Sequence, residues 1–148
     1  MLDFLRRTWA QINLDALDNN ITQIKSVIDP SAKLCAVVKA DCYGHGYEYT
    51  AQQMQESGAD WFAVSNLAEA LQMRKAGIDR PVLILGYTPP DKVRELVYND
   101  ISQAVYSLSY ARALSENAAL YGVTVNAHIK VDTGMGRIGF LYHDSVED

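Results

Sequence analysis

The stretch Ala36-Val-Val-Lys-Ala-Asp-Cys-Tyr-Gly-His-Gly46 decides how the chain reads. An apolar run over Lys33 to Val38 predicts a buried strand. It ends in one lysine, Lys39, and the chain then turns through Asp41, Gly44 and Gly46, which predicts a loop. Side chains alternate along a strand, so Lys39 shares a face with Cys35 and Val37, while Leu34, Ala36 and Val38 point the other way. Two readings of such a lysine stay open. On spacing alone, the favoured reading is that it leaves the core and reaches water. Held at the mouth of the strand, it would instead be partly desolvated, which lowers the pKa of an ammonium and frees the amine that attacks an aldehyde.

Working outward, a strand–helix unit repeats. Thr8 to Asn13 reads as a short strand. A helix follows from Asp15, with Leu14, Leu17, Ile21, Ile24 and Ile28 at three-four spacing, until Pro30 stops it. Past the Lys39 strand, Tyr47 to Ser57 reads as a helix closed by Gly58. Trp61 to Val64 is a strand. Asn66 to Ala76 is a helix with Leu67, Ala70 and Leu71 inward and Gly77 at its end. Val82 to Leu85 is a strand ending at Gly86, and Thr88 caps a helix with Pro89 at its first position, running to about Tyr98. Gln103 to Tyr106 is a strand, Ser109 caps a helix ending near Tyr121-Gly122, and Val123 to Val131 is the fifth strand. Such alternation implies right-handed parallel βαβ units. An open doubly wound sheet and a (β/α)8 barrel look alike at this level, although no Gly-x-Gly-x-x-Gly follows the first strand. A complete barrel takes about 250 residues. Five strands in 148 residues would be an incomplete (β/α)8 TIM barrel.

Composition narrows the function classes. The chain is 49% hydrophobic with a net charge of −5, which suits one domain with a real core and offers no basic patch for nucleic acid. No apolar segment approaches the roughly 20 residues of a membrane span, and Met1 to Arg7 does not resemble an export signal. Cys35 and Cys42 form no metal or redox motif and read as free thiols in a reducing cytoplasm.

The fifth strand carries a second cluster. Val123, Val125, Ala127, Ile129 and Val131 fall on one face, suited to packing on helices. Asn126, His128, Lys130 and Asp132 fall on the other, a polar inner face at the carboxyl end of a strand, where barrel enzymes place function. The chain continues Thr133-Gly-Met-Gly-Arg-Ile-Gly-Phe140, with three glycines around Arg137. Glycines admit close backbone approach, and a guanidinium grips a carboxylate with two hydrogen bonds. The plainer reading is a turn with a surface arginine and with Lys130 paired to Asp132.

Taken together, the two clusters point to one family. Val37-Val-Lys-Ala-Asp-Cys-Tyr-Gly-His-Gly46 resembles the pyridoxal-phosphate signature of alanine racemases. Lys130-Val-Asp-Thr-Gly-Met-Gly-Arg137 is similar to their second signature, at the family's usual distance. The resemblance runs from about Thr8 to Phe140, with Cys42 where alanine is common. It implies fold-type III pyridoxal-phosphate chemistry. Lys39 would carry the cofactor covalently and then move a proton at Cα. Tyr43 would bond the cofactor phosphate, and Arg137 would face the cofactor's phenolic oxygen and the substrate carboxylate. Lys130 would be carbamylated and brace Arg137, which would also turn three crowded cations into a paired network. His45 reads as a loop contact, His128 as an inward supporting residue and His143 as solvent-exposed. Asp15, Asp18, Glu69, Arg74 and Lys75 read as a solvated helix face, and no metal is expected.

By the same resemblance, residues 1–148 are the amino-terminal portion of the barrel domain, with the β-rich C-terminal domain absent. That domain would supply the opposite-face acid/base across a head-to-tail homodimer. Since racemisation needs a group on each face of the carbanion, the chain alone is expected to be inactive. The expected substrate is an amino acid, L- or D-alanine, with D-alanine going to peptidoglycan. A serine or other amino-acid racemase, a non-catalytic single-domain cofactor-binding protein and an interaction fragment remain the alternatives.

Overall fold

A computed structural model of the chain describes residues 8–142; His143 lies outside them. Five parallel strands form one sheet in sequence order: β1 (Cys35–Val37), β2 (Trp61–Val64), β3 (Val82–Ile84), β4 (Ile101–Val105) and β5 (Ala127–Ile129). Helices α1 (Leu14–Val27), α3 (Tyr47–Glu56), α4 (Leu67–Lys75), α5 (Val93–Tyr98) and α6 (Leu108–Tyr121) accompany them. The helical turn between β1 and α3 is α2 (Lys39–Gly44). A small parallel pair, β6 (Val131–Asp132) with β7 (Phe140–Leu141), follows. This is the partial (β/α)8 barrel that the strand–helix alternation predicts, with β1 and β5 as open edges.

One face of the sheet packs on the helices. Phe62, Val64, Val82 and Ile84 from the strands meet Ala70, Met73, Val93 and Leu96 from α4 and α5, and all eight are fully buried. Each such large side chain stabilises the fold by about 1.5–3 kcal/mol through burial. The register aligns Val37 with Ala63 and Ala63 with Leu83, so these side chains share the opposite, inner face. Farther along the sheet, Ala104 pairs with His128 on that same face.

Several boundaries move, each for a local reason. Thr8 to Asn13 forms no strand. Asn13 is instead the N-cap of α1, its Oδ1 accepting the Ala16 amide at 2.9 Å. Only Ile21 of the α1 stripe is buried, because the helix packs chiefly on α3. Thr88 caps nothing: its hydroxyl is buried without a partner among the described residues, and Pro90, not Pro89, begins a 3-10 turn leading into α5. Ser107 rather than Ser109 caps α6, its Oγ accepting the Tyr110 amide. The fifth strand is short. Residues 123–126 lead into it, and after Ile129 the chain leaves β4 to pair with Phe140–Leu141.

Candidate functional site

Both signatures end at the carboxyl edge of the sheet. Lys39 lies just past β1, after fully buried Val38, and is half-buried. What comes next is not an open loop. Ala40, Asp41, Cys42 and Tyr43 all adopt left-handed backbone, with φ between 52° and 55°. Left-handed geometry costs an ordinary residue roughly 1–2 kcal/mol, so four in succession need outside support. They have it. The Asp41 amide donates to Tyr47 Oη and Asp41 Oδ1 accepts the Tyr47 amide, both at 2.9 Å. The Cys42 amide returns to the Val38 carbonyl at 2.9 Å, and His45 Nδ1 lies 2.7 Å from the Cys42 carbonyl. Buried Cys42 sits beneath the turn, its thiol pushed up in pKa chiefly by burial. Both cysteines are free.

On the other side, Asp132 organises the glycine-rich loop. Its Oδ1 accepts the amides of Gly134 at 2.9 Å and Gly136 at 3.1 Å. These amide donors, Gly134 first, hold the carboxyl below its usual range. Gly139 closes the loop by approaching Asp132 so nearly that a Cβ there would stand 2.7 Å from the Asp132 nitrogen. Asp132 therefore serves the backbone, and it forms no ion pair with Lys130 among the described residues. That removes the plainer reading of the lysine.

Lys39, Lys130 and Arg137 line one cleft of about 250 Å3, together with Ser65, Leu85, Gly86 and Ile138. Three basic side chains share it and, among the described residues, no acidic one lines it. The donor set suits an anion: a phosphate, a phenolate or a carboxylate. Tyr43 lies outside that lining. Its ring centroid is 6.0 Å from Lys39 Nζ, and its side chain is largely exposed beside a neighbouring cleft bounded by α1. His128 points to the inner face, its ring meeting Trp61 of β2 edge-on at 5.3 Å.

Comparison with known proteins fits this geometry. Residues 12–148 match the family described as alanine racemase, N-terminal domain. The chain belongs to that family. An alanine racemase of Desulfovibrio desulfuricans is 47% identical over 94% of the chain, and alanine racemase 1 of Caldanaerobacter subterraneus is 41% identical over 96%. The chain spans 38% and 37% of those two proteins. Among solved structures, the Bacillus anthracis alanine racemase with bound L-Ala-P superposes with a TM-score of 0.85 at 40% identity, covering 92% of this chain and 35% of that one. A histidine racemase from Leuconostoc mesenteroides superposes at 0.77 with 33% identity, covering 85% and 34%.

Within this racemase domain, two residues read from sequence as a solvated helix face do structural work instead. Arg74 is half-buried and donates to four carbonyls, those of Ile78, Arg80, Asn99 and Asp100, each at 2.8 Å. It ties α4 to the loops before β3 and β4. Glu69 spreads its two oxygens between the Ala40 amide at 2.9 Å and the Ser65 amide at 2.7 Å. The readable signal was Asn66-Leu-Ala-Glu69, a capping-box spacing in which Asn66 Oδ1 also accepts the Glu69 amide. Asp18 accepts the Ser57 hydroxyl, while Asp15 and Lys75 are exposed as expected.

Proposed function

We propose that this chain is the amino-terminal portion of the cofactor-binding barrel of an alanine racemase that interconverts L- and D-alanine. The observation that carries the reading is the convergence of Lys39, Lys130 and Arg137 on one cleft that no acidic residue lines among the described residues. Bound in that cleft, pyridoxal 5'-phosphate would supply the electron sink that makes the Cα proton of an amino acid removable. Lys39 would hold the cofactor, and its amine would take or return the Cα proton on one face. Arg137 presents its planar fork to the substrate carboxylate. Tyr43, whose ring centroid lies 6.0 Å from Lys39 Nζ, would bond the cofactor phosphate through its hydroxyl. Lys130 reacts as the neutral amine with carbon dioxide, forming an N–C bond and losing one proton. The resulting carbamate offers Arg137 an anionic partner that no neighbouring acid provides.

The second face of Cα needs an acid/base opposite Lys39. In the proposed enzyme a further β-rich domain supplies it across a homodimer. The product D-alanine would serve cell-wall peptidoglycan in the cytoplasm. Among the described residues, no helix is long and apolar enough to cross a membrane. A different amino-acid substrate is the second reading, supported by the likeness to a histidine racemase.

Treatment with pyridoxal phosphate and borohydride tests the reading. Lys39 should be the lysine reduced, and Lys39→Ala should lose that adduct. Equal labelling of the Lys39→Ala protein at other lysines would count against it. In the complete enzyme, Lys130→Ala should lose activity and recover part of it in acetate; no rescue by any small carboxylate would count against the carbamate.

A further inference from the structure

We propose that Glu69 is a positioning residue for Lys39, acting through the left-handed turn rather than on any ligand. The inference rests on the reading of Lys39 as the reactive amine. Glu69 stands at the start of α4, outside the cleft lining, yet its carboxylate bridges the ends of two neighbouring strands. One oxygen takes the amide of Ala40, the residue next to Lys39 and the first of the four left-handed residues. The other takes the amide of Ser65, which follows β2 and lines the same cleft as Lys39. Val38, just before Lys39, is already tied to β2 by donating its amide to the Ala63 carbonyl at 2.9 Å. Glu69 adds a side-chain link beyond Lys39, from the start of the left-handed turn to the opposing wall.

The anchor is itself held. Asn66 Oδ1 accepts the Glu69 amide at 3.0 Å, and the aligned amides at the start of α4 favour a carboxylate there. The other supports of the turn do not duplicate the link. Asp41 and Tyr47 pair with each other within the turn and the start of α3, and Cys42 pairs back to Val38. None of these three bonds reaches across to the end of β2. The Ala40 amide is exposed, so water can replace the carboxylate without unfolding the domain. Loss of Glu69 should therefore free the turn and let Lys39 wander, leaving the sheet intact.

The test compares wild type with Glu69→Gln and, should that variant fold poorly, Glu69→Asp. Gln keeps one acceptor and turns an amino group toward the other amide. Amide exchange at Ala40 and Ser65 should accelerate about tenfold, the scale of one charge-assisted bond. Borohydride capture of pyridoxal phosphate at Lys39 should slow by a similar factor, about tenfold, because the amine is no longer held in register. The thermal midpoint should move by no more than about 4 °C. Unchanged exchange at Ala40 would overturn the proposal, as would faster exchange with unaltered capture, which makes Glu69 merely structural. If wild type itself is not captured at Lys39, the racemase reading fails. Exchange at Ala40 and Ser65 then decides by itself whether Glu69 holds the turn.

Discussion

The two halves of the candidate site are supported very differently. Lys39 leaves β1, which the sequence read as buried but which is an edge strand with Cys35 and Val37 exposed. Its turn is nevertheless bonded to α3, to α4 and to buried Val38 just past β1, beside β2, whose Phe62, Ala63 and Val64 are all buried. Lys130 and Arg137 leave β5, whose three residues are all exposed, Ile129 at 76%. Yet β5 hydrogen-bonds in register to β4, every residue of which is buried. What differs is cover: β4 has strands on both sides, while Ala127 and Ile129 of β5 border an open apolar groove beside α6. Burial follows from neighbours and not from pattern, and the second half of the site hangs from the less supported edge.

The largest effect should come from cutting the supported half. Phe62→Ala should destabilise by about 3–5 kcal/mol, whereas Ile129→Ala should stay within about 0.5 kcal/mol. Denaturant melts of both variants measure this, and equal losses would break the contrast. Arg74→Lys should come next, at about 2 kcal/mol, because a single ammonium cannot serve four carbonyls arranged for a planar fork. Arg74→Lys melting like wild type would show those bonds to be dispensable.

On the looser half, Gly139→Ala should cost about 1–3 kcal/mol locally, since φ is 143° and the added methyl meets the Asp132 backbone. Amide exchange at Gly134 and Gly136 should rise while Phe62 stays protected; parallel rises at both places would mean that the halves are one cooperative unit. The smallest effect is acid sensitivity. The folded carboxyl of Asp132 sits below its unfolded value, so its contribution is present above the ordinary aspartate range and is lost as pH falls through the lower folded value. Acidification should loosen the amides of Gly134 and Gly136, and Asp132→Asn should remove the pH dependence. Persistent dependence in that variant would assign it to another group.

Much of this was legible. Five parallel strands and the inward phase of His128 followed from alternation and spacing, whereas their sequential order did not, because an open doubly wound sheet reads alike. Lys39, Lys130 and Arg137 of the two signatures line one cleft. Three further things were not legible. Thr8 to Asn13 looked strand-like, but a strand needs a partner, and composition names none. Asp41, Gly44 and Gly46 announced a turn without its hand, because handedness depends on contacts from Glu69 and Tyr47, several to many residues away. Arg74 and Glu69 looked solvated because they are charged and helical. Their partners are backbone groups, which no residue pattern records.

Gly86 sets a limit on how the cleft can change. A Cβ there would lie 2.5 Å from the Ser65 carbonyl oxygen, and Gln103, itself buried, holds the Gly86 carbonyl at 2.7 Å. This part of the wall is therefore bare main chain, unable to acquire a side chain without separating the ends of β2 and β3. Under the proposed racemase reading, a change in which amino acid is accepted through this part of the wall would fall on the side chains of the lining, such as Leu85 and Ile138. Mutational libraries aimed at substrate choice should be built on those positions and should leave Gly86 fixed.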